Sequence, residues 1–191
     1  QPALARLDSF KRSRTGRMEI YLMMEDGINI ANYALFDLAA FFGSGKYTIP
    51  VTQEQSTMQA FAPLVDSVLR FSLKYRRMPR KATLVVLGFA DGEGFEPGSP
   101  LYNELAKQVD HGKITKQDLN QQLSALRAAA LVQQLKIMFS KKTGSKRYKN
   151  LQLEFIGLGK GEHYPFDTIR DYRENDERRR IVLCYWAVLP G

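Results

Sequence analysis

The chain has 191 residues, of which 44% are apolar and 25% charged, and this composition is typical of one globular domain with a core of ordinary size. The formal net charge of +8 favours anionic partners such as nucleic acid, an acidic membrane face or an anionic wall polymer, but it does not choose among them. The single cysteine excludes an internal disulfide, and no apolar run reaches the ~20 residues of a membrane-spanning helix.

The N-terminal part is expected to contain a basic linker followed by a hairpin. Residues 1–17 are basic and poor in apolar groups, which indicates a solvated linker or, alternatively, a tether that contacts an anionic surface. The chain opens on Gln rather than Met, so we expect a processed chain whose signal peptide or membrane anchor would lie upstream. Residues 18–24 and 28–30 flank a turn signal and predict two strands, whereas residues 33–42 fit a buried strand or a short apolar helix.

A helix is predicted to begin at Thr52, which stands three residues before Gln55 in a capping-box spacing, and to end near Tyr75. Its apolar face at helical spacing consists of Met58, Phe61, Leu64, Val65, Val68 and Leu69. Residues 83–87 form a short β-branched and apolar run, which predicts a strand buried on both faces.

The second half of the chain carries the strongest helix signal. A short helix is predicted over 101–109, and a long one starts near Thr115 or Asp118. The apolar stripe of the long helix consists of Leu119, Leu123, Leu126, Ala130, Leu135, Met138 and Phe139. Alternation predicts a strand from residue 151, a short helix is possible over 171–180, and residues 181–188 are predicted to form the last strand. This order predicts an α+β fold, with α/β as the alternative.

No pattern in the sequence supports catalysis or metal binding. His111 and His163 lie in predicted loops, Cys184 lies within a strand, and Ser124 has no nucleophile-elbow motif around it. No pair of His or Cys residues has the spacing of metal ligands. We therefore expect no enzymatic activity, no metal and no cofactor.

The glycines at 157, 159 and 161 do not form a dinucleotide-binding fingerprint, because no long helix follows them, and we expect a turn with several positive φ angles. Two basic clusters, at 74–81 and at 141–149 around Tyr148, would suit nucleic-acid phosphates. No recognition helix accompanies them, so solvated surfaces are the simpler interpretation.

Asp91 and Arg127 occupy unusual positions. Asp91 ends a predicted buried strand, and Arg127 interrupts the apolar side of the long helix. An arginine beside an apolar stripe needs an acidic partner or a ligand. The residues alone leave both options open: an intramolecular Asp–Arg pair, or a ligand-binding site.

In these segments the chain resembles the OmpA C-terminal-like (OmpA/MotB) family. The sequence at 88–91 is similar to its G-H-T-D motif, and that at 119–128 matches L-N-x-x-L-S-x-x-R-A. Residues 159–165 match G-x-G-E-x-x-P, and residues 175–182 resemble a closing N-R-R-V motif. Residues 41–45 are similar to an F-x-x-G-S stretch. The resemblance covers roughly residues 28–188.

The resemblance implies a β-α-β-α-β-β sandwich, preceded here by the N-terminal hairpin, that binds the diaminopimelate-bearing stem peptide of peptidoglycan without covalent chemistry. Asp91 would then meet the ligand ammonium, and Arg127 would take a carboxylate through its planar guanidinium. The ligand-binding residues that the resemblance implies are Gly88, Ala90, Asp91, Asn120, Arg127 and Arg180.

The chain departs from the family pattern at three places. Phe89 and Ala90 stand where the family has His and Thr, and Arg178 stands where it has Asn. A segment of roughly twenty extra residues, 93–116, separates Asp91 from the long-helix motif. This insertion is expected beside the pocket, where it would cap the site, recognise another wall feature or bind a protein.

The expected function is therefore non-covalent peptidoglycan binding by a domain over 18–191, which anchors an envelope protein or assembly to the wall. The expected location is the periplasm, with a tether to the inner or outer membrane through a segment upstream. Envelope proteins and a second copy of the chain are possible partners. The alternatives are a degenerate OmpA-like fold that contacts only proteins, and a nucleic-acid-binding domain, although no specific nucleic acid is expected.

Overall fold

The computed structural model of the protein describes residues 42–49, 51–110, 112–165 and 169–190. The basic linker, the predicted N-terminal hairpin and residues 33–41 lie outside these ranges, so those expectations stay predictions. None of the helices in the described ranges has the length and the apolar character needed to cross a bilayer.

The described residues form an α+β fold, which confirms the predicted class. Its elements in chain order are α1 (Val51–Ser72), β1 (Arg80–Gly88), α2 (Pro100–Ala106), α3 (Lys116–Thr143), β2 (Leu151–Gly159) and β3 (Val182–Pro190). Single 3-10 turns lie at Leu73–Tyr75, Lys146–Tyr148 and Glu177–Arg179. The predicted short helix over 171–180 is therefore reduced to the last of these turns.

The sheet in the described part has the order β2-β1-β3, with β1 parallel to β2 and antiparallel to β3. The parallel register runs from Arg80 opposite Leu151 to Gly88 opposite Gly159. A parallel pair needs a crossover, which α3 supplies. Both parallel strands consequently end at one edge of the sheet, and in open α/β sheets a binding crevice tends to form outside the carboxyl ends of the parallel strands.

Strand β1 is fully buried on one face only, so the prediction of burial on both faces is wrong. Ala82, Leu84 and Val86 have no exposed surface, while the residues between them are partly exposed. The main core lies between this face and the helices, because residues of α1 and α3 join it in one cluster. A sheet with an antiparallel strand such as β3 can leave one face in contact with solvent, whereas an all-parallel sheet is covered on both faces.

Helix α1 buries the apolar face that the sequence predicts, except that Met58 is only partly buried. Its Phe71 ring lies edge-on to Trp186 of β3, with 6.0 Å between ring centroids, which ties the helix to the sheet. The helix begins at Val51, so Thr52 lies inside it and is not its cap.

Helix α3 begins where the sequence predicts. Thr115 and Asp118 form a reciprocal capping box that satisfies backbone donors of the first turn. The buried stripe differs from the predicted one in the middle of the helix: Leu126 and Ala130 are partly exposed, while Arg127, Ala128 and Leu131 are buried. Arg127 therefore lies on the face that packs against the sheet.

Glycines let α3 lie directly on the ends of the parallel strands. A Cβ on Gly88 would be 2.0 Å from the carbonyl oxygen of Ser124, and one on Gly159 would be 2.6 Å from that of Gln121. Of the three glycines at 157, 159 and 161, only Gly161 has a positive φ, at 55°. The expected turn with several positive φ angles is therefore wrong, because the first two glycines belong to β2 and permit close packing.

The insertion packs against the start of α3. Ser99 caps α2 by accepting a hydrogen bond from the backbone N–H of Tyr102. Leu105 is fully buried in a cluster with Leu119 and Leu123 of α3 and with Ala90 after β1. This cluster fixes the insertion beside the edge at which β1 and β2 end.

Candidate functional site

Asp91 follows β1 at this edge and is 3% exposed. Its ion-pair partner is Arg180, whose Nε lies 3.4 Å from Oδ2, although that oxygen accepts no hydrogen bond. Burial raises the pKa of the Asp91 carboxyl above its ordinary value, Arg180 and Arg127 oppose this rise, and Glu93 adds to it. The direct Asp91–Arg127 pair left open by the sequence is not formed in the described structure.

Arg127 is 0% exposed and donates hydrogen bonds to three backbone carbonyls. Its Nε lies 2.9 Å from the oxygen of Lys46, Nη1 lies 2.9 Å from that of Phe89, and Nη2 lies 3.3 Å from that of Gly43. Burial lowers the pKa of Arg127 to about 10, which leaves it charged at neutral pH. The side chain thus holds the loop at 42–46 against the end of β1.

Asn120, in the second turn of α3, is also 0% exposed. Its Nδ2 donates to the Glu162 carboxylate at 2.8 Å and to the Glu93 carbonyl at 3.3 Å. Because both partners are acceptors, they fix the orientation of the amide. The amide oxygen Oδ1 is buried and has no hydrogen-bond donor.

Gly88, Ala90 and Arg180 lie around Asp91 without lining its pocket. The carbonyl of Gly88 accepts a hydrogen bond from the N–H of Lys160, and the N–H of Ala90 donates to the carbonyl of Gly161, both at 2.8 Å. These bonds join the end of β1 to the turn after β2. Arg180 pairs with Asp91, so its positive charge partly compensates the buried carboxylate.

A pocket of about 200 Å³ opens beside Asp91 and Asn120. Its walls come from the loop at 42–49, from the insertion and from the start of α3; they are formed by Ser44, Gly45, Asp91, Glu93, Gly94, Phe95, Glu96, Ser99, Leu101, Asn120 and Leu123. The insertion was expected beside the pocket, and it forms one of the walls. Of the six residues that the resemblance implies, Asp91 and Asn120 reach these walls.

The pocket has a pronounced acidic character that the site prediction missed. Glu93 and Glu96 share its wall with Asp91, and none of the described residues that line the pocket is basic. The hydroxyl of Ser44 donates a hydrogen bond to Glu93 and so links the loop to the insertion. The acid-rich composition after Asp91 was visible in the sequence, but only the fold brings those residues to the same pocket.

The resembling motifs meet in one hydrogen-bond network below the pocket. Ser124 Oγ accepts from the N–H of Gly161 at 2.8 Å, which fixes the turn after β2 against α3. Arg179 donates to the carbonyl of Glu162 at 2.6 Å and to that of Glu174 at 3.1 Å. Glu162 in turn accepts from Asn120. The network therefore supports the position of the pocket wall.

The structure gives less support to the other candidate features of the sequence, which are Cys184, the basic cluster around Tyr148 and a metal site. Cys184 is 2% exposed, and burial raises the pKa of its thiol to about 12, so no reactive thiolate forms at neutral pH. Tyr148 is buried in the basic cluster and is not available for stacking on a base. Within the described residues no group of three or more His, Cys, Asp or Glu side chains has a metal-binding arrangement.

No protein-family model matches the chain, and no curated protein matches it. Among solved structures, the chain is similar to the OmpA-like domain of FopA1 from Francisella tularensis subsp. tularensis SCHU S4. The likeness covers 76% of this chain and 67% of that one, at 20% identity and a TM-score of 0.36. A likeness of this size says nothing about function, which is therefore inferred from the residues and from the geometry of the pocket.

Proposed function

We propose that the chain is a non-enzymatic module that binds the peptidoglycan stem peptide at the Asp91 pocket. One observation carries the proposal: a small pocket is lined by Asp91, whose buried carboxylate has an oxygen that accepts no hydrogen bond. Buried polar atoms are normally paired, so an orphaned one marks a place where a ligand completes the bonding. The ordered motifs at 88–91, 119–128 and 159–165 support the same conclusion.

The ammonium group of a diamino acid fits this pocket chemically. It offers three donors and a positive charge, and it would offset the cost of burying the Asp91 carboxylate. Arg180 compensates that carboxylate only in part, because the pKa of Asp91 stays raised by burial despite the nearby arginine. The pocket volume of about 200 Å³ suits the end of an aminoalkyl side chain.

Arg127 supports this binding by shaping the loop at 42–46. The carboxylate-binding role that the resemblance implies for Arg127 requires the loop to move away, because the guanidinium is 0% exposed and bonded to three carbonyls. In the geometry described, the residue positions the wall that carries Ser44 and Gly45.

Peptidoglycan binding would make the chain a wall anchor for an envelope protein or assembly. The ligand occurs in the cell wall, so the module would act in the periplasm, on a chain tethered to a membrane by a segment upstream. The acidic pocket would bind the amine, while the net charge of +8 would favour approach to anionic wall components.

The test is calorimetric titration of the purified chain with a stem peptide that carries a diamino acid. Asp91→Asn should weaken binding at least about tenfold, because a hydrogen bond to a charged group contributes about 1.5–3 kcal/mol. Asp110→Asn is the matched control, since it removes an exposed carboxylate outside the pocket. If the wild type and Asp91→Asn bind equally, Asp91 is not the ligand contact; if the folded wild type binds no stem peptide, the function is wrong.

A further inference from the structure

The pocket is suited to a positive charge but not to a negative one. We infer that it selects stem peptides whose diamino acid ends in an ammonium group without a free carboxylate beside it, such as an amidated diaminopimelate or a lysine. This inference rests on the proposed function and specifies its ligand. The structural basis is that Asp91 and Asn120, each with a buried oxygen that accepts no hydrogen bond, line one pocket together with Glu93 and Glu96.

Two buried oxygens of pocket-lining residues accept no hydrogen bond. Asp91 Oδ2 and Asn120 Oδ1 are both buried, neither accepts a hydrogen bond, and both residues line the pocket. The amide of Asn120 cannot be reversed without losing its bond to Glu162, so its oxygen stays directed away from that partner. An ammonium brings hydrogen-bond donors to this wall, whereas a carboxylate brings only further acceptors.

The insertion adds negative charge to the same wall. Glu93 and Glu96 line the pocket together with Asp91; the charge of Glu93 acts to raise the pKa of Asp91, and a hydrogen bond from its backbone acts to lower it. A ligand carboxylate would therefore share the pocket with three acidic residues, and like charges repel. An uncharged carboxamide or a plain alkyl chain avoids this repulsion.

The nearby arginines do not provide a carboxylate receptor. Arg127 directs its donors to the carbonyls of Gly43, Lys46 and Phe89, and it does not line the pocket. Arg180 lies outside the pocket wall, with its Nε toward Asp91. A bidentate arginine–carboxylate contact, which would favour free diaminopimelate, is consequently absent from this pocket in the described structure.

The test compares three stem peptides that differ only in the third residue: free diaminopimelate, its side-chain amide and lysine. The wild-type chain should bind the amide and the lysine peptide at least about tenfold more tightly than the free acid. Glu96→Gln should narrow this difference, because it removes one repelling charge from the wall. Glu177→Gln, an exposed glutamate outside the pocket, serves as the control and should leave the difference unchanged.

The outcomes separate this inference from the proposed function. Equal or tighter binding of the free diaminopimelate peptide would overturn the selectivity and leave the wall-binding function standing. If Glu96→Gln leaves the difference in affinity unchanged, as Glu177→Gln should, the insertion has no part in the selectivity. A folded chain that binds none of the three peptides would overturn both proposals.

Discussion

The carboxylate of Asp91 is buried, and one of its oxygens accepts no hydrogen bond. Because burial raises the pKa of Asp91, the folded state binds its proton more tightly than the unfolded state does. Ionisation of Asp91 therefore lowers the free energy of unfolding. The decrease begins as the pH rises above the ordinary carboxyl pKa, and it is complete above the raised pKa of the folded state. A residue that lowers stability in the absence of a ligand is typical of binding sites.

Asp91→Asn should consequently weaken ligand binding without lowering the stability of the fold. The amide resembles the protonated acid, so at pH 7 the variant should melt at the same temperature as the wild type or up to about 4 °C higher. This difference in melting temperature should shrink as the pH falls, because the wild-type carboxyl, whose pKa is raised by burial, takes up its proton. Thermal melts of the peptide-free proteins across this range measure the effect. A lower melting temperature of the variant at pH 7 would show that the Arg180 pair stabilises the fold.

At the scale of elements, the contact between α3 and the ends of β1 and β2 determines where the pocket forms. Gly88 and Gly159 allow the helix backbone to lie on the strands, and Ser124 joins the helix to the turn after β2. The contact carries Asn120 of α3 and Asp91 after β1 to the same wall. A change in helix–strand distance would therefore alter the pocket as well as the core.

Gly88→Ala should be strongly destabilising, by about 3 kcal/mol or more, because its Cβ would lie 2.0 Å from a backbone oxygen that cannot move independently. Gly144→Ala is the matched control: an added methyl group there would have no neighbour within 4 Å, and the φ of −63° suits alanine. Urea denaturation of both variants measures the difference. Similar stabilities would mean that helix and strand are farther apart than described.

At the scale of the whole molecule, Arg127 joins three segments that are distant in sequence. From α3 it reaches the loop at 42–46 and the carbonyl of Phe89 after β1. The insertion adds a second connection, through the buried cluster of Leu105 with Leu119 and Leu123. The pocket lies between these two connections, so its shape depends on the tertiary structure as a unit.

Arg127→Met should lower the free energy of unfolding by about 3 kcal/mol or more, because three carbonyls lose a charged donor in a buried position. Stem-peptide binding should weaken as well, since the loop at 42–46 loses its support. Arg77→Met changes an exposed arginine in the same way and should cost at most about 0.5 kcal/mol. Chemical denaturation measures both, and equal stability of the two variants would contradict the bracing role of Arg127.

Local signals in the sequence were sufficient to place the elements of the described region. The apolar spacing of α1, the start of α3 near Thr115, and the last two strands were predicted because each depends on residues close together in the chain, whereas the capping box predicted at Thr52 was wrong. The position of Asp91 at a strand end followed from the same local pattern. Its part in ligand binding, and that of the other five residues named with it, stays a prediction.

The tertiary structure decided which side chains meet. Arg127 bonds to Gly43 across 84 positions, and Asp91 pairs with Arg180 rather than Arg127. The one-sided burial of β1 depends on which layers cover the sheet, and the acidic wall depends on how the insertion folds back over α3. A pattern within one segment encodes its periodicity and its ends; it does not encode the distance to a segment elsewhere in the chain, and the chemistry of this pocket depends on those distances.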